Sequence, residues 1–164
     1  MSIGTQALPL PRWEDATVVV EPPGDEPGAW AGAPSSIVAD GEVYLAYRLR
    51  LPIGEGRGIA NVVARSSDGL HFTVVAEIGK EAFGAESLER PALVRTPEGR
   101  WRLYVSVATP GTKHWRVDLL EADTPAALLP GSTVRGSAVA RPSTESASTR
   151  STRQCLVPGV AQLT

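Results

Sequence analysis

The sequence has few of the residues that disulfide-bonded, metal-binding or membrane-spanning proteins depend on. Its 164 residues include one cysteine, one methionine and two histidines. Cys155 alone cannot form an internal disulfide, and no histidine has a second histidine or cysteine at ligand spacing. No apolar run approaches the roughly 20 residues that span a bilayer, and the N-terminus lacks the basic and apolar regions of a signal peptide. We therefore expect a soluble, cytoplasmic protein without a metal or cofactor.

The chain also lacks a large excess of positive or negative charge. The formal net charge is -2, and no block of five or more lysines and arginines occurs. Nucleic-acid-binding proteins usually carry a clustered basic surface, so nucleic acid is not an expected partner.

Short β-like segments make up most of the chain after a proline- and glycine-rich beginning. The first thirty residues include "EPPGDEPGAW" and predict an extended segment, anchored by Trp13 and Trp30. From Pro34 onward, turn residues separate "SSIVA", "EVYLAYRLR", "GIANVVARS" and "HFTVVAEI", which predict four strands. The dipeptide Asp68-Gly69 predicts a tight type I′ hairpin between the last two.

The same order of strands occurs a second time. "PALVRTPEGRWRLYVSVA" matches "PSSIVADGEVYLAYRLR" with one residue inserted before the turn, so that Gly99 falls on Gly41. "KHWRVDLLEADTPAALL" then takes the place of the third and fourth strands, which gives a unit of roughly 57 residues, near the upper end of propeller-blade periods. The sequence predicts an all-β partial β-propeller with two four-stranded antiparallel blades. A single antiparallel sandwich is the alternative.

Composition changes after Pro130. The last 34 residues contain no aromatic residue, 11 serines or threonines, four arginines and one glutamate. Such a segment buries too little apolar surface to offset its ordering entropy. We expect a propeller domain over 1–130 and a tail over 131–164 that is either disordered or the product of a reading frame lost near Pro130, which would leave a truncated chain.

Three segments carry a family resemblance. "GAPSSIVADGEVYLAYR", "VARSSDGLHF" and "SLERPALVRTPEGRWRLYVS" resemble the five-bladed β-propeller glycosidases, namely the arabinanase and β-xylosidase family (glycoside hydrolase family 43) and its relatives, over roughly residues 28–128. The resemblance implies a carbohydrate-active protein with about two of the five blades. It also implies a small-molecule or oligosaccharide ligand in an axial funnel, where the starts of the innermost strands supply catalytic carboxylates. The alternative is a non-catalytic carbohydrate-binding or protein-interaction module.

The usual catalytic pair is not visible. Where the family has an aspartate before the proline that opens an inner strand, this chain has Ala33 and Arg90. Glycoside hydrolysis generally needs two carboxyl groups across the scissile bond. The candidates are Asp118 and Glu89, although Glu89 stands one residue early, on the opposite face of a regular strand unless a bulge intervenes. Whether the chain is an enzyme is therefore open.

Four other residues are candidates for binding a sugar. Arg90 is either part of an ion pair at a blade junction or a hydrogen-bonding fork at the funnel rim, oriented by Glu89. Trp30, Trp115 and His114 could stack on or hydrogen-bond to a sugar ring. The alternative for Trp115 is a core position, because strand alternation places Trp115, Val117 and Leu119 on one face and His114, Arg116 and Asp118 on the other.

Two expectations concern loops and placement. "GEGRG" lacks the lysine and hydroxyl residue of a P-loop, so it predicts a flexible loop that could carry Arg57 to the funnel. Because Glu89 and Arg90 precede an inner strand, as Trp30 to Pro34 do, we expect both segments at the same end of the structure.

Overall fold

The computed structural model describes residues 12–129 and Gly131 and contains two antiparallel sheets. The first sheet has four strands in sequence order, β1 (Trp30–Ala39), β2 (Glu42–Arg50), β3 (Gly58–Ser66) and β4 (Thr73–Gly79). The second has β5 (Ser87–Arg95), β6 (Trp101–Ala108) and β7 (Trp115–Ala122). Short 3-10 turns occur at Trp13–Asp15, Ile53–Glu55, Lys80–Phe83 and Pro125–Ala127. The all-β prediction is confirmed, and β2 and β3 have the bounds that the sequence predicts.

The second sheet has three strands within the described residues, so the prediction of two four-stranded sheets is wrong for this part of the chain. After β7, the segment turns at Pro125–Ala127, and Leu128 is fully buried in the core. Proline has no backbone N–H to donate to a neighbouring strand, which disfavours continued pairing here.

The tight hairpin lies at a different Asp-Gly pair from the one expected. β1 and β2 are joined by Asp40 and Gly41, with φ of 53° and 78°, as a type I′ turn requires. The Asp68 connection covers residues 67–72, and only Gly69 has a positive φ there. The Asp68 carboxylate accepts hydrogen bonds from the backbone N–H groups of Leu70 and His71, so it organises a longer loop.

The two sheets pack face to face. Their facing sides form the main core, which includes Tyr44, Ala46, Val63, Ile78, Leu93, Trp101, Leu103, Val105, Val107 and Leu120. Gly58 allows β3 to approach β5 closely, because a Cβ there would overlap the backbone carbonyl of Leu88. Its N–H donates a 3.1 Å hydrogen bond to the Ser87 hydroxyl. The apposition of β3 and β5 fixes the end of the sheets where the candidate residues lie.

The N-terminal segment lies against the outer face of the first sheet. Residues 16–29 contain no helix or strand, as predicted, and Val20 packs with Tyr47 and Val62 in a second, smaller apolar cluster. Trp13 is 89% exposed, so the expectation that it anchors this segment is wrong. The predicted tail, apart from Gly131, and Cys155 lie outside the described residues. Within the described part of the chain, no helix is long and apolar enough to cross a membrane.

Candidate functional site

Both inner strands are irregular near the proline that the sequence repeat aligns. β1 shifts register between Gly32 and Ser35, and β5 shifts between Leu88 and Pro91. Each shift places two residues of the inner strand opposite one residue of its neighbour, as in a β-bulge, which redirects side chains. Ala33 and Arg90, the residues that stand where the resembling family has aspartates, both fall within these bulges. The bulge in β5 also contains Glu89.

The bulge directs Glu89 toward the first sheet. Its carboxylate forms an ion pair with the guanidinium of Arg48, whose Cα is paired in register with Gly32. The two segments that precede the inner strands therefore lie at the same end of the structure, as expected. Glu89 pairs with an arginine of the other sheet, and this contact was not visible in the local sequence.

Arg48 is buried, with 5% of its surface exposed, and its guanidinium lies 4.3 Å from the centre of the Trp30 ring. It also donates a 3.4 Å hydrogen bond to the Leu88 carbonyl. Burial, followed by repulsion from Arg50, Arg57 and Arg90, lowers the pKa of Arg48. Four arginines therefore stand close to one another, and the Glu89 carboxylate pairs with Arg48 and, at longer range, with Arg57.

The "GEGRG" loop brings Arg57 to the same place, and it is held there by specific bonds. Arg57 has a φ of 54°, which is unusual for a residue with a side chain. Its carbonyl accepts a 2.8 Å hydrogen bond from Leu51, and Lys80 donates to the neighbouring Gly56 carbonyl at 3.2 Å. The guanidinium of Arg57 is 40% exposed and lies 4.0 Å from the Glu89 carboxylate. The loop is therefore a built part of the site.

Several polar atoms at this end have no partner. Among the described residues, the buried side-chain atoms that lack a hydrogen bond are Arg48 Nε, Arg57 Nε and Asn61 Oδ1. Asn61 is fully buried, and its amide nitrogen donates 3.1 Å to the Glu89 carbonyl. An unpaired buried polar group costs about 1–3 kcal/mol, so a cluster of three calls for a physical reason such as a bound molecule. We name Trp30, Arg48, Arg57, Asn61, Glu89 and Arg90 the Glu89 cluster.

Sequence reasoning missed Arg48 and Asn61, although a signal was present. Arg48 follows Tyr44 and Ala46 at alternate positions of β2, on the face that packs against the second sheet. Asn61 stands among the apolar residues of β3, whose other polar residues, Arg65 and Ser66, are at its end. Because arginine and asparagine are seldom fully buried, a polar residue in the core-facing series of a strand is a candidate for a site.

Asp118 is buried on the same face of β7 as Leu120, and it is bound to Arg116 on its own strand. Arg116 Nε lies 3.0 Å and 3.1 Å from the two carboxylate oxygens, and its other nitrogen donates to the Phe83 carbonyl at 2.7 Å. Only 4% of Asp118 is exposed. In the sheet register, Asp118 of β7 pairs with Val105 of β6, and Val105 pairs with Pro91 of β5. Asp118 is therefore two strands away from Pro91, the residue that follows the β5 bulge.

The predicted alternation of β7 is the reverse of the observed one. Trp115 is 44% exposed and Val117 is similarly exposed, whereas Asp118, Leu120 and Ala122 face the core, so the core interpretation of Trp115 is wrong. β7 is at the edge of its sheet, and the face with Trp115 is the one turned away from the first sheet. His114 is exposed just before β7. The structure brings Trp30, Glu89 and Arg90 together but provides no contact from His114 or Trp115 to them.

An open groove of about 440 Å³ lies at the opposite end of the sheets, between Tyr44 and Trp101. Its charged groups already pair with one another, with Arg65 on Glu42 and Arg95 on Asp40. This groove therefore has less unmet hydrogen-bonding capacity than the Glu89 cluster, which we take as the candidate site. Within residues 12–129 and 131, no group of three or more His, Cys, Asp and Glu side chains is placed to hold a metal ion.

Comparison with solved structures identifies what the fold resembles. The GH43_1 enzyme from Xanthomonas citri, complexed with xylotriose, matches with a TM-score of 0.50 and 18% identity over 59% of this chain and 30% of that one. The same enzyme complexed with xylose matches equally well. The exo-β-1,3-galactanase from Phanerochaete chrysosporium, with β-1,3-galactotriose, has a TM-score of 0.50 and 15% identity over 64% of this chain and 25% of that one. No protein-family model and no curated protein matches the sequence.

These likenesses concern the fold. The two sheets have the fold of part of a GH43-type β-propeller glycosidase, as the sequence resemblance implies. The chain spans about 30% of the length of the Xanthomonas enzyme.

Proposed function

We propose that this chain is a carbohydrate-binding, glycosidase-like propeller protein, and that the Glu89 cluster contacts the sugar. The observation that supports this most strongly is the meeting of the two bulged inner-strand starts at one end, with partly exposed Glu89 and Arg57 and three unpaired buried polar atoms. The fold similarity to enzymes solved with xylose, xylotriose and galactotriose supports a sugar as the ligand class.

The Glu89 cluster has the groups that a sugar requires. Hydroxyl groups of a sugar both donate and accept hydrogen bonds, and the partly exposed side chains of Arg57, Arg90 and Glu89 supply donors and an acceptor. Trp30 supplies an aromatic ring for the apolar face of a sugar, although one side of that ring is covered by Arg48. Specificity in such sites comes from a few placed polar groups beside apolar surface.

Binding without cleavage is the form of the function that we propose for these residues. The two candidate catalytic carboxylates are engaged separately, Glu89 by buried Arg48 and Asp118 by Arg116. Asp118 is also too buried for a substrate to reach without rearrangement. Within the described residues, these two candidates therefore do not form the pair of carboxyl groups across one glycosidic bond that hydrolysis generally requires.

Isothermal titration calorimetry tests the proposal. The protein is titrated with xylose, xylotriose and β-1,3-galactotriose, beside Trp30→Ala and the control Trp13→Ala, which removes an exposed tryptophan outside the cluster. We expect at least one sugar to bind and Trp30→Ala to weaken it about tenfold, which corresponds to about 1.4 kcal/mol. Circular dichroism verifies that both variants are folded. Absence of binding by all three sugars, or equal effects of the two substitutions, would contradict the proposal.

A further inference from the structure

The Glu89 cluster carries far more positive than negative charge. Arg48 and Arg57 both lie against the Glu89 carboxylate, and Arg90 follows Glu89 in the same bulge. Arg50, outside the cluster, has its guanidinium 5.9 Å from the centre of the Trp30 ring. The three arginines and one glutamate of the cluster give a net charge of +2, or +3 with the neighbouring Arg50, in a chain whose total is -2. A neutral ligand gives no reason for such a concentration of guanidinium groups.

The exposed groups of the cluster specify the ligand further. Arg57 and Arg90 present guanidinium donors toward solvent, and the partly exposed Glu89 carboxylate is an acceptor. An anionic oxygen suits the arginines, since guanidinium groups bind carboxylate and phosphate oxygens as planar forks. A hydroxyl group suits the Glu89 carboxylate. One ligand that carries both an oxyanion and hydroxyl groups would match both kinds of group.

Arg57 and Arg90 are members of the cluster that a ligand can reach from solvent. The Arg57 side chain is 40% exposed, and Arg90 is exposed. Arg57 has a left-handed backbone conformation held by the bonds from Leu51 and Lys80, and a strained residue that its surroundings hold in place is characteristic of functional sites. Arg48 is buried behind Glu89 and holds that carboxylate, so Glu89 takes up one of the four positive charges.

We infer that the Glu89 cluster recognises an oxyanion, presented either by an acidic sugar or by free phosphate, with Arg57 and Arg90 as the residues that bind it. Glu89, fixed by Arg48, accepts hydrogen bonds from the hydroxyl groups beside that oxyanion. The inference rests on the proposed function only in that both use the same end of the sheets.

Titrations with matched ligands test the inference. D-glucuronate and D-glucose differ in the carboxylate at C6, and inorganic phosphate supplies an oxyanion without a sugar. Each is titrated calorimetrically against the wild type, Arg57→Gln, Arg90→Gln and the control Arg65→Gln. Arg65 lies on the same strand as Asn61, near the groove at the other end, and its side chain is similarly exposed and ion-paired with Glu42.

We expect glucuronate or phosphate to bind at least tenfold more tightly than glucose. Arg57→Gln and Arg90→Gln should each weaken that binding about tenfold, whereas Arg65→Gln should leave it unchanged. Tighter binding of glucuronate than of phosphate identifies the acidic sugar, and the reverse identifies free phosphate. Either result supports the inference and identifies the molecule that supplies the oxyanion.

Two results would overturn the inference. In one, glucose binds as tightly as glucuronate and phosphate does not bind, which leaves sugar binding intact and removes the oxyanion. In the other, Arg65→Gln weakens binding as much as Arg57→Gln, which shows a nonspecific charge effect. The Arg90 side chain is exposed and that of Arg57 is 40% exposed, and thermal unfolding of each variant verifies that it folds.

Discussion

Replacing Gly58 with alanine tests the close approach of β3 to β5 that positions the Glu89 cluster. An added Cβ would overlap the Leu88 carbonyl oxygen and come within 2.8 Å of the Ser87 hydroxyl, and the nearest atom belongs to the backbone. Accommodating an extra group in a packed core costs about 1–3 kcal/mol. Separation of the strands also breaks the hydrogen bond from Gly58 N–H to Ser87, which leaves a buried group unpaired at a cost of about 1–3 kcal/mol.

A smaller effect of opposite sign reduces this sum. Alanine restricts the unfolded chain more than glycine does. This stabilises the folded state by about 0.4–1 kcal/mol where alanine can adopt the native backbone conformation. We therefore expect Gly58→Ala to lower the free energy of unfolding by about 3 kcal/mol. The control is Gly54→Ala, in the loop before β3, where a Cβ would meet nothing within 4 Å. Urea unfolding followed by circular dichroism measures both, and a cost below about 0.5 kcal/mol for Gly58→Ala would refute the proposed contact.

Three further predictions concern stability. Glu89→Gln leaves the buried Arg48 without its counter-charge and should cost about 3 kcal/mol, and a double-mutant cycle with Arg48→Met should show that the two effects are not additive; additive effects would contradict the ion pair. On β7, Leu120→Ala should cost about 2–5 kcal/mol and Trp115→Ala less than about 1 kcal/mol, because Leu120 faces the core and Trp115 does not. Thermal unfolding measures both, and a larger loss of stability for Trp115→Ala would show that Trp115 faces the core, as the sequence alternation predicts. Hydrogen bonds from His71, Leu70 and Ser66 lower the pKa of Asp68. The stabilisation of the folded state by the ionised Asp68 carboxylate is therefore present above about pH 4 and is lost as the pH falls further. The difference in free energy of unfolding between wild type and Asp68→Asn should shrink in acid, and a constant difference would contradict this.

The strands were predictable because their information is local. β2 and β3 alternate or concentrate apolar residues between turn signals, and the structure begins and ends them at the predicted residues. The Asp-Gly signal was also real, but the sequence contains it twice, and the distance to the next strand decides which one forms the tight hairpin. Asp68 instead satisfies loop N–H groups with its side chain.

The site depended on contacts that no local pattern contains. Arg48 and Glu89 are 41 residues apart and meet because two sheets pack face to face. The prediction of which face of β7 is buried was wrong for a related reason. Strand alternation defines two faces but does not determine which of them another sheet will cover. Trp115 is more apolar than Asp118, yet Asp118 is the buried one because Arg116 binds its carboxylate.

An activity assay most directly tests the claim that the Glu89 end binds sugar without cleaving it. The purified chain and a Glu89→Gln variant, verified as folded at the assay temperature, are incubated with aryl arabinosides, xylosides and mannosides. General acid and base catalysis each contribute about 10²- to 10⁴-fold, so without a paired set of carboxylates we expect no turnover in the ordinary enzyme range, about 1 s⁻¹ or above. Turnover in that range by the wild type that disappears in Glu89→Gln would contradict the account and make Glu89 a catalytic residue.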